Sequence, residues 1–62
     1  MRIRYRDKEW ELEGERTVRE AIKAVGLTPE TVVAVRDGRV LSQGTLLEEG
    51  EEIKLLAVIT GG

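Results

Sequence analysis

Few residues in this chain could do chemistry, and the most telling come last: Ala57-Val58-Ile59-Thr60-Gly61-Gly62, an apolar run ending in two glycines. A terminal Gly62 would carry an α-carboxylate, ionised at neutral pH and able as an oxygen nucleophile to attack an activated phosphate. Glycine has no Cβ and loses the most backbone entropy when fixed. Thr60-Gly61-Gly62 is therefore expected to be a thin, mobile arm that can enter a narrow channel on another protein. The competing reading is a frayed end. At an average glycine usage of about 7%, two glycines close roughly 0.5% of chains by chance, so the tail needs support from the rest of the sequence. Other reactive groups are scarce: the 62 residues include no Cys and no His. That removes disulfides, thiolate metal sites and the commonest general base, and an autonomous enzyme is not expected.

Sixty-two residues make one domain, and a domain of this size buries only about 60% of the surface its unfolded chain exposes. Charged residues make up 35% of the chain, with no Asn and one Gln, a mixture resembling thermophile usage. Ten basic and twelve acidic residues leave a net charge of −2. This is no field that would recruit nucleic acid or an anionic membrane by itself. No apolar run approaches the 18 to 20 residues of a spanning helix, and the amino terminus has no signal-peptide core. The expectation is a soluble cytoplasmic protein that neither enters membranes nor binds nucleic acid directly.

These features require elements to position them. Met1, Ile3 and Tyr5 alternate with Arg2, Arg4 and Arg6, and after Asp7-Lys8 the alternation resumes with Trp10 and Leu12 between Glu9, Glu11 and Glu13. With Asp7 and Lys8 as a two-residue loop, Tyr5 faces Trp10 and Ile3 faces Leu12 on a core side. Arg6, Arg4 and Arg2 then face Glu9, Glu11 and Glu13 on the other. The arginine row reads as a solvated face neutralised by these glutamates rather than as a phosphate site. Thr17-Val18-Arg19-Glu20 has the capping-box form, and Val18, Ala21, Ile22 and Val25 make one apolar helical stripe. Gly26 followed by Leu27 reads as a Schellman end, and Thr28-Pro29-Glu30 as a second, abortive helix start.

Val32-Val33-Ala34-Val35-Arg36, Asp37-Gly38 and Arg39-Val40-Leu41 spell a hairpin, because Asp-Gly supplies the positive φ of a type I′ loop. Val35 is then opposite Val40, and Ala34 opposite Leu41. Residues 42–50 are too polar and glycine-marked for a long element, with Leu46 and Leu47 anchoring a short turn. Ile53 to Ile59 reads as a final strand, expected at the sheet's centre because its apolar run implies burial on both faces or a patch on one.

The predicted fold class is α+β: a mixed sheet of four to five strands with one main helix packed across it. At this point the chain resembles a known family, the β-grasp (ubiquitin-like) sulfur carriers. The resemblance rests on the first hairpin, the Thr17-Val18-Arg19-Glu20 start, Val33-Ala34-Val35-Arg36-Asp37-Gly38, Leu47-Glu48-Glu49-Gly50-Glu51-Glu52-Ile53 and Gly61-Gly62. It implies a carrier domain over 1–62 with its tail at 60–62. The Gly62 carboxylate would be adenylated by a ubiquitin-activating-like adenylyltransferase and converted to a thiocarboxylate. ATP and magnesium would belong to that enzyme and none to this chain. A sulfur donor such as a cysteine desulfurase or rhodanese and a downstream sulfur-accepting enzyme would complete the set of partners. Ile59-Thr60-Gly61-Gly62 looks more like carriers of tRNA thiolation, archaeal protein modifiers and small subunits of molybdopterin synthase than like thiamine-pathway carriers. Sixty-two residues are few for the molybdopterin subunit, whose typical first-strand aromatics are also missing, so tRNA thiolation stands first and thiamine synthesis second. Conjugation of the tail to lysines stays open.

Two other readings compete. A TGS-like β-grasp module, regulatory or RNA-associated, shares the capping threonine and the Gly-Glu-Glu-Ile approach to the last strand, but such modules sit within longer proteins. A ubiquitin-like adaptor with an idle tail is the other. For the carrier, strand parity predicts a docking surface on the outer sheet face: with Ile53, Leu55, Ala57 and Ile59 toward the helix, Leu56 and Val58 point outward. Ala34 and Leu41 are expected beside them, on the premise that Val35 and Val40 lie in the core.

Overall fold

A computed structural model describes residues 1–58. Its main sheet is built from β1 (Arg2–Tyr5), β2 (Lys8–Glu11), β4 (Val32–Arg36), β5 (Arg39–Leu41) and β7 (Glu52–Ala57), in the order β2-β1-β7-β4-β5. The central strand is β7, parallel to β1 and antiparallel to β4. Helix α1 (Val18–Ala24) covers one face, and two short strands, β3 (Arg16–Thr17) and β6 (Leu46–Leu47), pair beside it. The core joins Val18, Ala21 and Ile22 of the helix to Met1, Ile3, Val32, Ala34, Ile53 and Leu55 of the sheet side, with Leu47 closing it. The expected mixed sheet under one helix is what the chain forms.

The helix is set at both ends by local chemistry. The Thr17 hydroxyl accepts the Glu20 amide at 3.2 Å while the Glu20 carboxylate accepts the Thr17 amide at 3.0 Å, a complete capping box. At the other end Leu27 N–H bonds the Ile22 carbonyl (3.1 Å) and Gly26 N–H the Lys23 carbonyl (3.0 Å). These are the two bonds of a Schellman motif, made possible by φ +83° at Gly26. Leu27 then packs against the core.

The first hairpin is shifted by two residues from the expected register. Ile3 pairs with Trp10, Arg4 with Glu9, Tyr5 with Lys8 and Arg2 with Glu11, so the loop is Arg6-Asp7. A slip of two keeps every side chain on its face, so the alternating pattern fits both registers equally. The observed one lets the chain start close onto the second strand: the Met1 amino group donates to the Leu12 carbonyl at 2.6 Å, and Leu12 N–H to the Met1 carbonyl at 2.8 Å. It also places Arg6 at φ +57°. That conformation costs a non-glycine residue about 1 kcal/mol, offset in part by the Arg6 guanidinium 5.3 Å from the Tyr5 ring centre, worth about 0.5–1 kcal/mol at an exposed site.

A second correction concerns Ala34 and Leu41. The Asp37-Gly38 hairpin has the expected register, but its inward face is the other one. Ala34 is 0% exposed in the core and Leu41 packs against it, whereas Val40 is 66% exposed. The cause is pairing with the central strand: Ala34 lies opposite Leu55 and Val33 opposite Leu56. Opposed residues share a face, so the strand whose Leu55 is buried forces Ala34 inward.

Two expectations follow for stability. Removing the cap in Thr17→Ala should lower unfolding free energy by about 1 kcal/mol, read by urea denaturation. The Glu20 carboxyl is held below its usual range first by the Thr17 amide and then by the Thr17 hydroxyl. Glu51 is lowered by the Glu48 amide, with burial opposing, and then by Arg36, its ion-pair partner. Carboxyls lowered in the folded state contribute stability that is present above the ordinary glutamate range and lost as pH falls through their folded values. Glu20→Gln and Glu51→Gln should each be less stable than the parent at neutral pH and lose less stability on acidification, as thermal melts across that range would record.

Candidate functional site

The last strand organises the face on which a partner could act. β7 sends Ile53 and Leu55 into the core, so Lys54 and Leu56 emerge on the side away from the helix. One transverse row then crosses all five strands on that side: Glu9, Arg4, Lys54, Val35 and Val40. A second pairs Leu56 with Val33. Leu56 is 42% exposed and Val33 and Val35 are half-buried. Apart from Lys54 beside Val35, the β7-β4-β5 half is thus an apolar patch of Val33, Val35, Val40 and Leu56.

The other half is charged. Arg2 lies 3.3 Å from Glu9 and 3.5 Å from Glu11, while Arg4 lies 3.2 Å from Glu9 and 3.3 Å from Glu52. All these side chains are about half exposed or more, so each pair is worth little to stability. Their consequence is spatial, since carboxylates neutralise the arginine row and leave the apolar half as the part a partner could dehydrate cheaply.

Of the four residues expected to form the docking surface, the structure places Leu56 on the patch and Ala34 and Leu41 on the opposite, inner side. Val58, just past the strand, is 38% exposed. It lines a depression of about 200 Å³ shared with Val18, Ile22, Val32 and Leu41 at the sheet's end. Val33, Val35 and Val40 are the surface residues that sequence reasoning missed. A signal was present: Ala34 is the one small side chain in the Val32–Val35 run, and the small position is the one that fits closest to a helix. Thr60, Gly61 and Gly62 lie outside the described residues.

What the strand does beyond its end is fixed up to Val58, whose N–H donates to the Thr31 carbonyl at 2.8 Å. This is a final rung of the β4-β7 ladder, four positions before Gly62. Among the described residues, no group of three or more His, Cys, Asp or Glu could hold a metal ion. No described helix is long and apolar enough to cross a membrane.

The profile of the ThiS family matches residues 2–62. The chain is 42% identical over 55 residues to sulfur carrier protein TtuB of Thermus thermophilus, covering 89% of this chain and 85% of that protein. Its fold is that of the thiamine biosynthesis protein ThiS from Geobacter metallireducens, with a TM-score of 0.65, 23% identity and full coverage of both chains. A β-grasp sheet with its last strand at the centre and a profile match running through Gly61-Gly62 lead to one conclusion: this chain belongs to the ThiS family of ubiquitin-like sulfur carriers.

Proposed function

We propose that this chain carries sulfur on its Gly62 carboxylate as the substrate, not the catalyst, of an ATP-dependent activating enzyme. The observation that carries the reading is the family match through residue 62. The fold supports it, because the strand leading to the tail is the best-anchored one in the sheet. A carboxylate is a poor electrophile and must first be activated. One oxygen of Gly62 attacks the α-phosphorus of ATP, pyrophosphate leaves, and a glycyl-adenylate forms. A persulfide sulfur on a donor such as a cysteine desulfurase or rhodanese then attacks the acyl carbon, and AMP leaves with that oxygen. A thiol reductant cleaves the S–S bond and releases the thiocarboxylate. ATP and magnesium sit on the ubiquitin-activating-like adenylyltransferase. The accepting enzyme is that of tRNA 2-thiouridine synthesis, favoured by the Ile59-Thr60-Gly61-Gly62 ending, with thiamine synthesis the second pathway; both place the chain in the cytoplasm. A TGS-like module would share the fold, and it is the family match that favours the carrier.

The docking face for the adenylyltransferase is the patch centred on Leu56 with Val33, Val35 and Val40, and Val58 lies at the sheet's end between this patch and the helix-side depression. A partner gripping it holds the strand that delivers Gly62.

Deleting Gly62 should abolish adenylation and leave the melting temperature unchanged. Intact-mass analysis after incubation with ATP, the activating enzyme and a sulfur source should show one oxygen replaced by sulfur in the parent alone, and sulfur gained by the deletion variant would sink the reading. Leu56→Asp should fold with stability within about 0.5 kcal/mol of the parent and bind the enzyme about tenfold or more weakly, since burying a leucine contributes about 1.5–3 kcal/mol. Titration calorimetry showing unchanged affinity would remove Leu56 from the interface.

A further inference from the structure

Gln43 bears the only side-chain amide in the sequence, and its two ends hold different parts of the fold. Its backbone carbonyl accepts the Arg19 N–H at 3.1 Å, at the capped start of α1. Its side-chain Nε2 donates to the Pro29 carbonyl at 3.1 Å, fourteen residues away in sequence. Pro29 lies in the turn Thr28–Thr31, which is closed on itself by the Thr31 amide (3.0 Å) and the Thr31 hydroxyl (2.9 Å), both donating to the Thr28 carbonyl. From this turn the Thr31 carbonyl receives the Val58 N–H.

The loop bearing Gln43 is itself braced. Thr45 N–H donates to the Ser42 carbonyl at 3.1 Å, their hydroxyls lie 2.9 Å apart, and the Thr45 carbonyl accepts Val18 N–H at 2.9 Å. Hydrogen bonds and the short backbone of the turn between them therefore connect the helix start, through Gln43 and its exposed bond to Pro29, with Val58. The ladder alone would not supply this. A strand's last rung ordinarily frays, because its partner strand begins there too, and Thr31, one residue before β4, is exposed.

We infer that Gln43 is a positioning residue: by clamping the Thr28–Thr31 turn it holds the Val58 rung shut and so fixes the point at which the chain leaves the sheet. The inference rests on the carrier reading above. It separates two tasks on the molecule. The apolar patch around Leu56 determines whether the partner binds, and Gln43, on the helix side of the turn, sets the anchor from which the carboxylate must reach once it has bound. Arrival matters because in-line attack on the α-phosphorus demands near-contact geometry, and a misplacement of about 1 Å can cost up to a hundredfold in rate.

The test uses the full chain with Gln43→Ala and the isosteric Gln43→Glu, which keeps the shape and removes the donor. Amide exchange by NMR should show the Val58 N–H exchanging about fivefold faster in both variants, the factor expected for one lost hydrogen bond, with core amides such as those of Ile53 and Leu55 unchanged. Adenylation with the carrier as varied substrate should show kcat falling on the order of tenfold and KM unaltered, a split that a loss of folding or of docking would not produce. Unchanged Val58 exchange in both variants overturns the relay. Faster exchange with unaltered kcat overturns the positioning role. A parent chain that is never adenylated brings down the carrier reading and the positioning role together, and the exchange data still report on the relay.

Discussion

The rest of this structure depends on β7 being paired on both sides. It takes β1 as a parallel neighbour and β4 as an antiparallel one, and so joins two hairpins that would otherwise each be a two-stranded ribbon. Isolated hairpins are marginal in water. The joining strand brings Ile53 and Leu55 under the helix, and each fully buried aliphatic side chain is worth about 1.5–3 kcal/mol by area. In a chain without Cys or His, that strand supplies what a small core otherwise lacks. It also determines the outer sheet face, because the parity that buries Leu55 is the parity that exposes Leu56.

How much of this could be read from residues alone follows the range of each interaction. The capping box at Thr17 and Glu20, the Schellman end at Gly26 and Leu27, and the Asp37-Gly38 hairpin register are decided within six residues or fewer, and each is legible. The shifted register of the first hairpin was not, because a slip of two residues preserves every face and leaves Arg opposite Glu. What decides it is the closure of Met1 onto Leu12, a contact the alternating pattern does not encode. The inward face of β4 was not legible either. A hairpin turn specifies which residues are opposite, never which side meets the helix, and Ala34 is buried only because Leu55, more than twenty positions later, lies across from it.

The acidic stretch before β7 shows a related division between charge and position. Glu51 accepts the Glu48 amide at 2.6 Å and pairs with Arg36, so one carboxylate closes the turn at Gly50 and ties it to the end of β4. Glu48 and Glu49 remain at the surface. Glu49 nonetheless accepts the Gly14 N–H at 3.2 Å and Glu52 pairs with Arg4, so the Glu-Glu-Gly-Glu-Glu sequence is less a charged run than a turn whose acids tie it to neighbouring segments.

The parallel pairing of β1 with β7 sets how late in synthesis this protein can complete its fold. The first strand synthesised finds its neighbour only when one of the last segments has been released, some fifty residues later, and contacts of such separation are the slow ones in folding. Before β7 arrives, a nascent chain exposes two unpaired strand edges, on β1 and on β4, and a helix with half its floor missing. A chain terminated early is thus open to edge-to-edge association and proteolysis. Completion of the fold is therefore tied to length: a chain truncated ahead of Glu52 lacks the strand that joins the two hairpins and cannot complete the sheet.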